Sequence, residues 1–148
     1  MASYNDWNNY GGLYVEDGVT AETTTDATPR KIGGFTTVMP SSSTCTPSAA
    51  TDNITVTDAG DYLVTAQMSF SGTLSKTFVV EIYNGTTATN LKCTRKLGTG
   101  GDIGSASVTG ILTLAASDAI SLYQSSTDGG TAFTLADGQL TLTKIGWQ

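Results

Sequence analysis

From residue 30 onward, hydrophobic and polar residues alternate with a period of two. In DYLVTAQMSFSG, Tyr62, Val64, Ala66, Met68 and Phe70 share one face, while Leu63, Thr65, Gln67 and Ser69 share the other. Successive side chains of a strand point to opposite sides, so this spacing predicts a strand with one buried face. KTFVVEIYNG repeats the pattern, with Phe78, Val80 and Ile82 opposite Val79, Glu81 and Tyr83, and it closes on Asn84-Gly85, a strong tight-turn pair. Further strands are predicted in SVTGILTLAASD (Val108, Leu112, Leu114), AISLYQ (Ile120, Leu122) and QLTLTKI (Leu140, Leu142). KIGGFTTV, NITVT and LKCTR are shorter candidates.

No stretch sustains a 3.6-residue period, and Gly or Asn/Asp/Ser clusters interrupt the chain at short, even intervals. That punctuation predicts an all-β fold, an antiparallel β-sandwich or barrel. About eight strands fit between Arg30 and Gln148, and two four-stranded sheets in a jelly roll are the most economical arrangement. SSSTCTPSAATDN, between Ser41 and Asn53, reads as an exposed loop.

The chain has 148 residues, one ordinary domain. Charged residues make up 14%, well below the usual quarter, and threonine and glycine lead the composition, which is a β-protein's usage. The net charge of −6 is unevenly spread. Five acids and no base precede Arg30 (Asp6, Glu16, Asp17, Glu22, Asp26), whereas the remainder carries eight acids against seven bases. A nearly neutral body offers no basic stripe for phosphates, which argues against a nucleic-acid partner. No apolar run approaches the roughly 20 residues of a membrane span, and the first residues lack the basic and apolar regions of a signal peptide. The expectation is a chain made in the cytoplasm with no membrane partner.

Catalytic chemistry finds little support. There is no histidine, the commonest general base and metal ligand. Asp58, Asp61, Asp102, Asp118, Asp128 and Asp137 lie mostly at turns, where Asp is favoured for hydrogen bonds to its own backbone. GTGGDIG leads into a strand and lacks the lysine of a nucleotide loop. Asp128 and Asp137 in SSTDGGTAFTLADG are a weak calcium pairing. Asn53 and Asn84 fit the glycosylation pattern, which a chain without a secretion signal does not use. Cys45 and Cys93 read as two free thiols, a single disulfide between them being the less favoured alternative. The chain is expected to be no enzyme and to need no cofactor.

AGDYLV, the YNG after the next long strand, LTLAASDAISLY and the closing FTLADGQLTLTKIG resemble, in order, the motifs of the tumour necrosis factor and complement globular-head superfamily. The resemblance spans residues 30–146. Gly60 and Tyr62 match the Gly-x-Tyr that opens a central strand of that family, and Leu112, Leu114 and Asp118 match its Leu-rich strand and following turn. Ser117 stands where glycine is usual. The ending, with Gly138, Leu140, Leu142, Ile145 and Gly146, is similar to phage versions. The resemblance implies a ten-stranded jelly roll and a compact homotrimer about a threefold axis. Apolar residues on both strand faces, Leu63, Val79 and Tyr83 among them, agree with a subunit interface, a second buried layer within one subunit being the alternative.

Residues 1–29, which begin with MASYNDWNNYGGLYVEDG, precede the predicted domain at 30–148 and carry nearly all of the net charge. They read as an extended N-terminal arm whose Tyr4, Trp7, Tyr10, Leu13 and Tyr14 lie on a neighbouring protein, since exposed aromatic clusters mark contact surfaces. The alternative is that these aromatics fold back on their own sandwich. Combined with the resemblance, the arm points to a structural virion protein: a trimeric capsid decoration or cement protein on the capsid surface, whose partners are itself and a major capsid protein. A receptor-binding tip of a phage fibre or spike, recognising a host-surface glycan or protein through its loops, is the alternative. An enzyme on the same fold ranks third.

Overall fold

The computed structural model describes residues 9–24, 28–127 and 131–146. Among the described residues there are twelve strands and no helix. They are β1 (Tyr10–Val15), β2 (Ala21–Thr24), β3 (Arg30–Lys31), β4 (Thr37–Val38), β5 (Cys45–Ser48), β6 (Asn53–Val56), β7 (Gly60–Gly72), β8 (Thr77–Asn84), β9 (Thr87–Lys96), β10 (Gly104–Leu114), β11 (Ala119–Ser126) and β12 (Thr131–Gly146). Two six-stranded antiparallel sheets face each other. The first runs β10-β7-β12-β1-β4 with β2 also on β12, and the second runs β5-β6-β11-β8-β9 with β3 also on β11. The expected all-β antiparallel jelly-roll sandwich is therefore what the chain builds.

The alternation in β7 sets the core. Tyr62, Val64, Ala66, Met68 and Phe70 are buried, and Leu63, Thr65, Gln67 and Ser69 face away. Phe78, Val80 and Ile82 of β8 and Ile120 and Leu122 of β11 meet them from the second sheet. Phe70 stacks on Phe133 at 4.8 Å between centroids and meets Phe78 edge-on at 5.6 Å, an aromatic cluster at one end of the sandwich. In β12 the buried positions change parity: Phe133 and Leu135 are odd, whereas Leu140 and Leu142 are even. A bulge between Leu135 and Asp137 inserts the extra residue that makes both halves face inward.

Two expectations are corrected. The boundary between arm and domain does not lie at residue 29. β1 pairs with β12 along its whole length, from Tyr10 opposite Thr143 to Val15 opposite Gly138, and β2 pairs with the other half of β12. Leu13 and Val15 are buried in the core, so the sandwich begins at β1. Gly11 and Gly12 hide the alternation of this strand, and close packing requires them. A Cβ on Gly11 would sit 2.9 Å from Cys45 Cβ, and one on Gly12 would sit 2.6 Å from Met39 Sδ. The second correction concerns Ser41–Asn53, which holds β5 paired with β6. β5 is an edge strand, and an edge tolerates the missing N–H of Pro47.

The β8–β9 hairpin turns as expected on Asn84-Gly85, with Asn84 paired to Thr87 and Gly85 at φ 59. Ser117, in the family's glycine position, takes φ 75. Cys45 and Cys93 are both free and lie on opposite edge strands of the second sheet. Four strand spacings of about 4.8 Å separate those edges by about 19 Å, far beyond disulfide reach.

Leu13→Ala should destabilise the protein by about 2–5 kcal/mol in urea unfolding, as for any buried leucine. An unchanged midpoint would return residues 10–15 to an arm. Ser117→Gly should add about 1 kcal/mol, since glycine takes a left-handed φ without the Cβ clash; no gain would mean the turn stores no strain.

Candidate subunit interface

Antiparallel register places the outward residues of β1, β12, β7 and β10 in rows across the first sheet. One row is Tyr10, Thr143, Leu63 and Ile111; the next is Gly12, Thr141, Thr65 and Thr109; a third is Tyr14, Gln139, Gln67 and Ser107. None of these twelve residues is charged. Tyr10, Leu63 and Ile111 are 42%, 37% and 60% exposed, and the neighbouring Ile145 is 50% exposed. Together they form an apolar patch at the near end of the sheet, where β1 begins and β12 finishes. Further along, the same face dips into an open groove of about 760 Å³ lined by Tyr14, Met39, Gln67, Ser107 and Gln139. Met39 Sδ covers Gly12.

The charges are partitioned between the two sheets. The only base on the first sheet's strands is Lys144, which turns inward, is buried and lies 6.0 Å from the Tyr62 ring centroid. Asp61 and Asp137 stand at opposite ends of the outward face. Asp61 accepts the Thr113 hydroxyl at 2.6 Å, and Asp137 accepts Ser69 Oγ at 3.0 Å and the Asp17 N–H at 3.2 Å. Five of the seven bases, Arg30, Lys31, Lys92, Arg95 and Lys96, belong to strands of the second sheet. Uncharged rows with half-exposed aliphatic residues, bordered by Asp61 at one end and by Asp137 and Glu16 at the groove, can be buried against protein while few ions are desolvated, whereas the second sheet suits water.

The five predicted contact residues separate. Tyr10 and Tyr14 lie on the outward face, Tyr14 half-buried in the groove wall. Leu13 points the opposite way into the core at 0% exposure, because its neighbours in the strand face outward. Tyr4 and Trp7 lie outside the described residues. Of the surplus apolar residues, Leu63 is on this face, but Val79 and Tyr83 are on the second sheet. Tyr83 is buried there, its ring stacked on Tyr123 at 4.0 Å, which accounts for it without a partner chain. The threonine and glutamine rows were visible only as the polar half of an alternation, which gives no sign of what covers them.

The turn aspartates behave as their type implies. Asp118 Oδ2 accepts the Ala115 N–H at 2.9 Å, and Asp102 accepts the Gly98 N–H at 2.6 Å as well as the Arg95 guanidinium at 3.1 Å. Of the suggested calcium pair, Asp137 takes the hydrogen bonds above and Asp128 lies outside the described residues. Burial pushes the Cys45 thiol up to about 11, so it is not a thiolate at neutral pH.

No protein-family model and no curated protein matches the chain by sequence. Its fold does match solved structures. Eiger TNF from S. frugiperda superposes with a TM-score of 0.61 at 18% identity, covering 95% of this chain and 94% of that one. Murine APRIL gives a TM-score of 0.61 at 15% identity over 93% of this chain and all of that one. The PRD1 vertex protein P5 gives 0.62 at 14% identity over 94% of this chain and 74% of that one. These likenesses establish a tumour necrosis factor-like jelly roll.

Loading the interface with charge should separate the subunits while sparing the fold, because the position faces away from the core. Thr65→Arg is expected to lower the mass in sedimentation equilibrium with little change in β-sheet circular dichroism. An unchanged assembly would remove these rows from the interface.

Proposed function

We propose that three copies of this chain close their first-sheet faces about a threefold axis, and that the trimer is a structural protein of a virion. The uncharged rows and apolar near-end patch carry the proposal. A lone subunit would leave Leu63, Ile111 and Ile145 in water, while a closed ring of copies buries all of them at once. The likeness to a vertex protein supports the virion setting.

Within a virion, the reading that fits best is capsid decoration. Asn9 lies at the near end, where its carbonyl accepts the Lys144 N–H at 2.8 Å and its amide donates to Asp58 at 3.1 Å. Residues 1–8, which include Tyr4 and Trp7, are bonded to the body at this end, and a trimer carries three such segments. Weak anchors held on one rigid body bind a lattice with far greater avidity than one alone. The partner is a major capsid protein, and no cofactor is required.

A spike-tip role has one observation in its favour. At the far end, the loops at 73–76 and 97–103 adjoin through a Ser75 N–H to Gly98 carbonyl bond of 3.3 Å, and they expose Leu74 at 40% and Ile103 at 64%. Exposed aliphatic residues on adjacent loops suit recognition of a receptor.

The test compares the full chain with a version lacking residues 2–8, which spares β1, in co-sedimentation with empty capsids and in binding to host cells. Decoration predicts trimers in both cases and sedimentation of the full chain alone. Cell binding by both, lost in Ile103→Asp, with no capsid binding, would establish the spike-tip role instead.

A further inference from the structure

The sandwich interior holds a polar pair. Glu22 pairs with Phe133 across β2 and β12 and so faces inward with it. Gln124 of β11 pairs with Val80, also inward, and is 0% exposed. The two side chains thus meet from opposite sheets. Glu22 Oε1 accepts the Gly33 N–H at 2.6 Å, but its Oε2 is buried without a hydrogen-bond partner. Both amide atoms of Gln124 are likewise buried and unpartnered, although the amide lies close enough to favour the carboxylate. Buried polar atoms are normally paired, and two acceptor oxygens, Glu22 Oε2 and Gln124 Oε1, can pair with each other only through a proton.

The surroundings set how readily that proton is held. Asp52, at a turn with φ 49, accepts the Phe35 N–H at 3.0 Å. A Cβ on Gly33 would lie 3.2 Å from Glu22 Oε1 and 3.4 Å from Asp52 Oδ2, so two carboxylates flank one glycine. Arg30 of β3 favours the Glu22 anion, Asp52 opposes it, and Phe133 of β12 contributes no charge. Lys31 acts on Asp52, and its ammonium donates to the Thr51 carbonyl. Desolvation outweighs these attractions and holds the Glu22 carboxyl above the ordinary carboxylate range, with Asp52 raised for the same reason.

We propose that Glu22 takes up a proton and donates its Oε2–H to Gln124 Oε1, forming a proton-operated clasp between the two sheets. One proton then pairs two orphaned oxygens, while Glu22 Oε1 keeps the Gly33 N–H. The clasp fixes the segment 32–35, whose Ile32 and Phe35 plug the core. The folded state holds this proton at a pH where the unfolded chain has released it. Stability from the clasp is complete below the unfolded carboxylate value of about 4.3 and is lost as pH rises through the raised folded value. Mild acid therefore tightens the fold.

The experiment is thermal unfolding of the full chain, at one chain concentration, from pH 8 to 4.5. The isosteric Glu22→Gln carries the donor permanently. It should melt several degrees above wild type at pH 8, the difference closing as pH falls; repeating the comparison on an Asp52→Asn background removes the coupled titration of Asp52. In Gln124→Leu the proton's acceptor is gone, so its loss relative to wild type should be larger at pH 5 than at pH 8. A pH-independent gap, or Glu22→Gln melting below wild type at pH 8, would overturn the clasp. Calcium raising the wild-type melting temperature at pH 8, but not that of Glu22→Gln, would also overturn it by placing a metal ion beside the Glu22 carboxylate.

Discussion

The register between β7 and β12 is the constraint on which the rest of the molecule depends. Strand side chains repeat every two residues, so a slip of one would exchange the core face with the outward face along the longest strands of the first sheet. Tyr62, Val64 and Phe70 would enter water, and the threonine and glutamine rows would enter the core. The bulge at Leu135–Asp137 secures the pairing by letting Phe133 and Leu140, which differ in parity, both face inward. β1 and β10 inherit their registers from these two strands, and so do the rows of the proposed interface.

The long strands could be read in the sequence wherever the alternation was unbroken, as in β7, β8 and β11. It failed where packing suppressed side chains or shifted parity. β1 looked like an arm because Gly11 and Gly12 are demanded by Cys45 and Met39, residues distant in sequence that only the folded chain brings alongside. β5 looked like a loop because Pro47 is permitted by an edge whose position depends on the whole sheet. β12 was legible only in its second half, since the bulge puts Phe133 and Leu135 out of phase with Leu140 and Leu142. Of the site, Tyr10, Tyr14 and Leu63 were recognisable as apolar residues needing a partner. Thr65, Thr109 and Thr141 were not, because a polar strand face has the same composition whether it meets water or another subunit.

The charge partition supplies information that hydrophobicity does not. The two sheets bury similar aliphatic and aromatic residues inside, yet bases collect on the second while the first has a single, inward-turned lysine. Bringing like faces together around an axis multiplies any residual charge by the number of copies, so neutrality is worth more there than on a free surface. The half-buried acid Glu22 and the buried amide Gln124 lie between the two sheets.

The separation of the two ends makes the domain a directional display scaffold. Residues 9 and 146 lie together at the near end, while the loop at 97–103 sits at the opposite one. In that loop Gly100 and Gly101 adopt φ 82 and 85 with open space where side chains would be. Foreign peptide inserted between them meets no packed neighbour and interrupts no strand. A trimer of the proposed kind would carry three such inserts on the side away from its attachment, turning a lattice-binding protein into an antigen carrier with a fixed orientation.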